Sequence, residues 1–211
     1  MTGPRGNQLL IDLPAGCAVF RLDTAAEPFD VQAHTLLEQL RASGRPVGDG
    51  VQTARAVTAI LDSFSALSVQ LLGKFAVATA DGPATATVVL AVHPLPVEDP
   101  ESAAADPAGL AGAVREIIKR RHPLADTRVV SLPAGPTVVG VWSGEFRFPH
   151  ERTGTEQDVV MPTYRVQFLL PVPATGHLVA LDVSTASVHG WPTVARQAVS
   201  IAGSMRFDDA G

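Results

Sequence analysis

Thr163-Tyr-Arg-Val-Gln-Phe-Leu-Leu-Pro-Val172, then Pro173-Ala-Thr-Gly176, then His177-Leu-Val-Ala-Leu-Asp-Val-Ser-Thr185, is the stretch that decides the fold. Tyr164, Val166, Phe168 and Leu170 alternate with Thr163, Arg165 and Gln167, which is the two-residue period of a strand. A turn rich in Pro and Gly followed by a second β-rich run makes a hairpin. The same plan recurs upstream. Thr127–Leu132 and Thr137–Trp142 flank Pro133-Ala-Gly-Pro136, and Phe75–Ala80 and Thr85–Val92 flank Asp81-Gly82-Pro83. Consecutive hairpins imply a mostly antiparallel sheet.

Between and around these hairpins the period changes. Asp30 is placed to cap a helix to about Ser43, with Val31, Ala33, Leu36, Leu37 and Leu40 on one face and Gly44 as its stop. Val51, Ala54, Val57, Leu61, Phe64, Leu67 and Leu71 recur every three or four residues, which predicts a helix over about 51–72 ended by Leu72-Gly73. Asp106-Pro107 opens another, with Leu110, Val114, Ile117 and Ile118 inward and Arg115, Glu116, Lys119 and Arg120 outward. A last helix over 191–203 turns Val194, Ala195, Ala198, Ile201 and Ala202 inward, and Met205-Arg-Phe207 closes as a short strand or cap. A short strand is expected over 17–22. Residues 143–160 read as a long exposed excursion, the outer end of a hairpin.

The order β-α-α-β-β-α-β-β-β-β-α-(β) predicts an α+β fold, a mostly antiparallel sheet sandwiched by helices in a single domain. Residues 1–8 read as a flexible tail and 9–208 as the domain, helical over about 30–72 and sheet-rich over about 73–208.

Composition narrows the function classes. The chain has 211 residues, 46% hydrophobic, 5% aromatic and 18% charged, with 16 basic and 21 acidic residues for a net charge of −5. An acidic balance argues against a nucleic-acid groove, and no apolar run approaches the roughly 18 residues that span a bilayer. A single cysteine, Cys17, excludes an internal disulfide and fits a reducing compartment. Leu9-Leu-Ile11 is too short for the core of a signal peptide. The expected location is cytoplasmic.

No phosphate-binding loop is present. Gly73-Lys74 is followed by Phe75, and Gly48-Asp-Gly50 lacks a third glycine. No nucleophile elbow exists, since Ser143 in Gly140-Val-Trp-Ser-Gly144 stands one place late. None of the 6 histidines pairs with another at ligand spacing. Cys17 has no neighbouring histidine to activate it. Asp182 reads as a solvent-facing strand carboxylate, while an inward Asp182 near Arg165 or Arg206 would mark a pocket. The basic run Arg115, Lys119, Arg120, Arg121 and His122 suits a negative helix C-terminus. No cofactor or metal is called for.

Three segments carry a resemblance: Leu132-Pro-Ala-Gly-Pro-Thr-Val-Val139, Tyr164-Arg-Val-Gln-Phe-Leu-Leu-Pro-Val-Pro173, and Leu181-Asp-Val-Ser-Thr-Ala-Ser187 leading to Ile201-Ala-Gly-Ser-Met-Arg-Phe207. In that order they resemble a group of uncharacterised actinobacterial proteins with a PAGP hairpin and a VQYLLPVP strand. The match covers about 120–207 and departs at Ser187-Val-His-Gly-Trp-Pro192. More distantly the chain resembles the Mog1/PsbP-like fold, whose members act mostly as accessory or assembly factors. The resemblance implies no catalytic residue, and it suggests proximity to specialised secretion systems.

The absence of any catalytic motif points to a non-enzymatic accessory, assembly or partner-binding protein. Its partner would be another protein or a second copy, not nucleic acid. The candidate surface is the 143–162 excursion and the adjoining sheet face, with Trp142, Glu145, Arg147, Phe148, His150 and Arg152 as the candidate contact residues. The alternatives are a small-ligand binder with a cleft between sheet and helices, and an enzyme whose site is assembled from dispersed His, Asp and Arg. A deep pocket of convergent polar groups would favour either of these.

Overall fold

A computed structural model describes residues 9–21, 68–95, 105–150 and 156–207. The expected tail at 1–8, the helix over 30–43 and residues 51–67 of the second helix lie outside them.

The elements in chain order are β1 (Leu9–Leu10), β2 (Ala18–Arg21), β3 (Val69–Thr79), β4 (Gly82–Pro94), α1 (Pro107–Arg121), β5 (Asp126–Leu132), β6 (Gly135–Phe148), β7 (Val159–Val172), β8 (His177–Thr185), α2 (Trp191–Gly203) and β9 (Arg206–Phe207). Seven strands form one antiparallel sheet in the order β2-β3-β4-β8-β7-β6-β5. The fold is α+β, as the hairpin pattern predicts. β1 and β9 form a separate two-stranded pair, Leu9 opposite Phe207. Arg206 reinforces it with an ion pair to Asp12 at 3.1 Å.

Each face of the sheet carries a helix. Successive strand residues point to opposite faces, and the two apolar clusters divide along that alternation. Val139, Val166, Phe168, Leu170, Leu181 and Val183 pack with Val194, Ala198 and Ile201 of α2. Val138, Leu169 and Ala180 pack with Ala111, Val114 and Ile118 of α1. This is why Phe168-Leu-Leu-Pro171 is buried on both faces, an unbroken apolar run inside an otherwise alternating strand.

Asp106 caps α1 as expected, its Oδ1 accepting from the Gly109 N–H at 2.8 Å. The inward face of α1 needs correcting. Ala111, Val114 and Ile118 are buried, whereas Ile117 is 52% exposed. Positions 111, 114 and 118 follow the helical period, and a small Ala lets the helix approach Val138. Arg115 also faces inward in part, with its Nε buried.

The boundary at 72 is corrected too. β3 begins at Val69, so Leu71 lies in a strand and Leu72-Gly73 ends no helix. Leu67, Leu71 and Leu72 fit both periods, and the local irregularity hides the strand signal. Ser68 has φ +53°, and the β3–β4 register shifts between Val69 and Leu71. Gly73 is a packing glycine, since a Cβ there would stand 2.8 Å from Val88 Cγ1 and 3.1 Å from Cys17 Sγ.

The sharpest requirement for glycine is at Gly190, which caps α2. A Cβ there would collide with the Ala84 Cβ and stand 2.9 Å from Ser187 Oγ. Neither β4 nor the turn can yield cheaply. Gly190→Ala is therefore expected to destabilise the fold by about 1–3 kcal/mol. Gly203→Ala, which meets nothing within 4 Å, should stay within about 0.5 kcal/mol of wild type. Urea unfolding of both variants checks the contrast.

Candidate interaction surface

β6 and β7 are each 14 residues long, while β5 has 7 and β8 has 9. Their lengths decide the geometry. β6 pairs with β7 from Val138 opposite Leu169 to Phe148 opposite Val159. β5 leaves β6 at Val141, and β8 leaves β7 at Tyr164. Residues 142–148 and 159–163 therefore form a two-stranded arm that continues past the rest of the sheet. Of the expected excursion at 143–160, residues 143–148 and 159–160 belong to the two strands of this hairpin.

The two faces of the arm differ. Gly144, Phe146, Met161 and Thr163 lie on the α1 side, and Phe146 is 55% and Met161 38% exposed. Ser143, Glu145, Arg147, Val160 and Pro162 lie on the α2 side and are exposed. Phe148 ends the register opposite Val159. Beyond the last pair, Asp158 Oδ1 accepts from the His150 N–H at 3.1 Å and lies 3.2 Å from His150 Nδ1. These hydrogen bonds, with Arg147 nearby, hold the Asp158 carboxyl below its usual range. Arg152 lies outside the described residues. Of the six candidate residues, Trp142, Glu145, Arg147, Phe148 and His150 are thus placed along one arm.

At the root of the arm a polar and aromatic row crosses the α1 face. Asp182 on β8 is buried and accepts a hydrogen bond from Arg165 Nε on β7. The Arg165 guanidinium lies 5.2 Å from the Trp142 ring centroid. His122, which ends α1, stacks on the same ring at 4.8 Å and 12°. The Trp142 ring reaches over Gly140, where a Cβ would meet its Cζ3 at 3.0 Å. The row links β8, β7, β6 and the end of α1 at the point where β5 and β8 stop supporting the pair.

The solvent-facing reading of Asp182 is thereby overturned. Asp182 is buried and pairs with Arg165, while Arg206 pairs with Asp12. Burial pushes the Asp182 carboxyl above its usual range, and Arg165 only partly offsets this. The sequence names Arg165 as a partner for an inward Asp182 but does not reveal that Trp142 and His122 extend the row, because these meet only in the folded sheet. The one available signal is a carboxylate on β8 and an arginine on β7 at similar distances from their shared turn.

Cys17 lies against Gly73, and burial pushes its thiol upward, away from nucleophile chemistry at neutral pH. Among the described residues, no three His, Cys, Asp or Glu side chains gather as a metal site.

Asp182 sets a pH dependence. Its folded value lies above its unfolded one, so the folded state binds the extra proton between the two, and stability falls as pH rises through that window. Asp182→Asn should match or exceed wild type at pH 7, and the difference should shrink as pH falls below the window. Arg165→Ala leaves the buried carboxylate without its counter-charge. It should cost about 2 kcal/mol at pH 7, less than the roughly 3–5 of an enclosed pair because Arg165 is 39% exposed. That loss should diminish in acid. Thermal unfolding of the three proteins from pH 4 to 8 reads all these outcomes.

No helix among the described residues is long and apolar enough to cross a membrane. No family model matches the chain, no curated protein matches it, and no solved structure matches it.

Proposed function

We propose that the chain is a non-enzymatic partner-binding or assembly protein that docks through the β6–β7 arm. The supporting observation is the arm itself, a regular hairpin that leaves the sheet with Phe146 opposite Met161, 55% and 38% exposed. Adjacent, partly exposed apolar side chains on a projection offer a partner a surface to bury. The row at the root supplies the stiffness. Trp142 meets both the stacked His122 ring and the Arg165 guanidinium, and the guanidinium donates to Asp182. An arm stiffened in this way loses little conformational freedom when it binds.

The helix-covered antiparallel sheet is, in this proposal, a Mog1/PsbP-like fold, and the accessory role follows that likeness by analogy. Association with a specialised secretion system rests on the sequence resemblance. A cytoplasmic site of action fits the lone, partly buried Cys17.

The test is the double variant Phe146→Ser/Met161→Ser. Both side chains are exposed, so the change should leave unfolding stability within about 1 kcal/mol of wild type. Purified at native level from the source cell, wild type should bring down a stoichiometric protein that the variant loses. Equal recovery by both proteins would remove the arm from the interaction. Thermal stabilisation by a small metabolite, with no protein recovered, would favour the ligand-binding alternative.

A further inference from the structure

The two edges of the arm are not equivalent. In an antiparallel strand, backbone N–H and C=O groups of alternate residues point to alternate sides. Gly135 opposite Leu132 closes the β5–β6 turn. Odd-numbered β6 residues therefore direct their backbone groups toward β5, and even-numbered ones toward β7. On β7, Val172 opposite His177 sets the matching alternation, with even-numbered residues directed toward β8. Beyond Val141 and Tyr164, where β5 and β8 end, these outward groups belong to Ser143, Glu145 and Arg147 on one edge and to Pro162 and Val160 on the other.

Pro162 blunts its edge, because the position that would offer a donor has no N–H. The β6 edge has no such guard. Ser143, Glu145 and Arg147 carry ordinary amides, are exposed, and have no strand opposite them on the β5 side among the described residues. Charged side chains on an edge usually repel a second edge. Here the two charges have opposite signs and stand either side of Phe146.

We infer that the β6 edge pairs with the same edge of a second copy, antiparallel about a two-fold axis at Phe146. This register places Glu145 opposite Arg147 of the second copy and Arg147 opposite its Glu145, so both charge pairs are favourable. Each such pair is also a hydrogen-bonded position, exchanging N–H and C=O in both directions. The Phe146 side chains meet across the axis on the apolar face. A shift of two residues in either direction loses the double charge match, setting Arg147 opposite Arg147 and Glu145 opposite Pro149 one way and Glu145 opposite Glu145 the other. In the inferred register Pro149 falls opposite Ser143, so the ladder ends at the two Glu145–Arg147 pairs. The interface is isologous, as two-fold pairing requires. It is short, and the dimer forms at raised protein concentration.

This inference rests on the arm being an interaction surface and adds which edge is used and by what. Its test is light scattering over a concentration series. Wild type should dimerise, and Glu145→Arg and Arg147→Glu should each weaken association about tenfold or more. The double variant Glu145→Arg/Arg147→Glu should dimerise again. A one-to-one mixture of the two single variants should form a heterodimer, since positions 145 and 147 are then both basic in one chain and both acidic in the other. Unfolding curves confirm that each variant is folded. A wild type that stays monomeric to about 1 mM, or a charge swap and a mixture that both fail to associate, overturns the pairing. A monomer that still captured another protein through Phe146 and Met161 would overturn the self-pairing alone and leave the partner-binding reading in place.

Discussion

The pairing of β6 with β7 is the constraint on which the rest of the structure depends. It runs unbroken from Val138 opposite Leu169 to Phe148 opposite Val159. Its inner half is the centre of the domain. Leu169 and Val138 seat α1, while Phe168, Leu170 and Val139 face α2. Its outer half is the arm. One register therefore fixes both where the helices dock and how the surface leaves the sheet. A slip of β6 by one residue against β7 would carry Val139 from the α2 cluster to the α1 side and turn Glu145 and Arg147 toward the face now held by Met161.

The strand pattern is legible because its signals are local. Alternation in 163–172, the Asp-Gly and Ala-Gly turns and the Asp106-Pro107 cap each rest on backbone chemistry that neighbouring residues settle. Two readings fail where tertiary contacts override local period. Leu71 and Leu72 fit a helix by spacing, yet strand pairing with Val89 and Leu90 claims them. Ile117 fits the inward stripe of α1, yet the approach to Val138 runs through Ala111 instead. β1 escapes the sequence pattern altogether. Two residues, Leu9 and Leu10, carry too little periodicity, and their partner Phe207 stands almost the full length of the chain away.

The candidate surface is half legible. Charge clustered among aromatics singles out 142–152, and most of those residues do share one projection. Its regularity is hidden because Gly144 and Pro149, with interleaved charges, read as loop signals. Pro162 is compatible with a strand only because its missing N–H faces an edge that β8 has already left. The row Asp182–Arg165–Trp142–His122 is hidden for a different reason. It runs across strands, perpendicular to the sequence, and the registers of two hairpins together with the seating of α1 bring it together. Here a buried carboxylate held by a half-exposed arginine contributes position more than stability, since burial works against the charge that Arg165 supports.

The central claim is that residues 142–148 and 159–163 form a strand-paired arm with one open edge. Residue-resolved amide hydrogen exchange in dilute solution tests it most directly. The even-numbered amides of β6, Trp142, Gly144, Phe146 and Phe148, should be protected through their bonds to β7, while those of Ser143, Glu145 and Arg147 exchange rapidly. Uniformly rapid exchange across the whole stretch would contradict the account, because it would return these residues to an irregular loop.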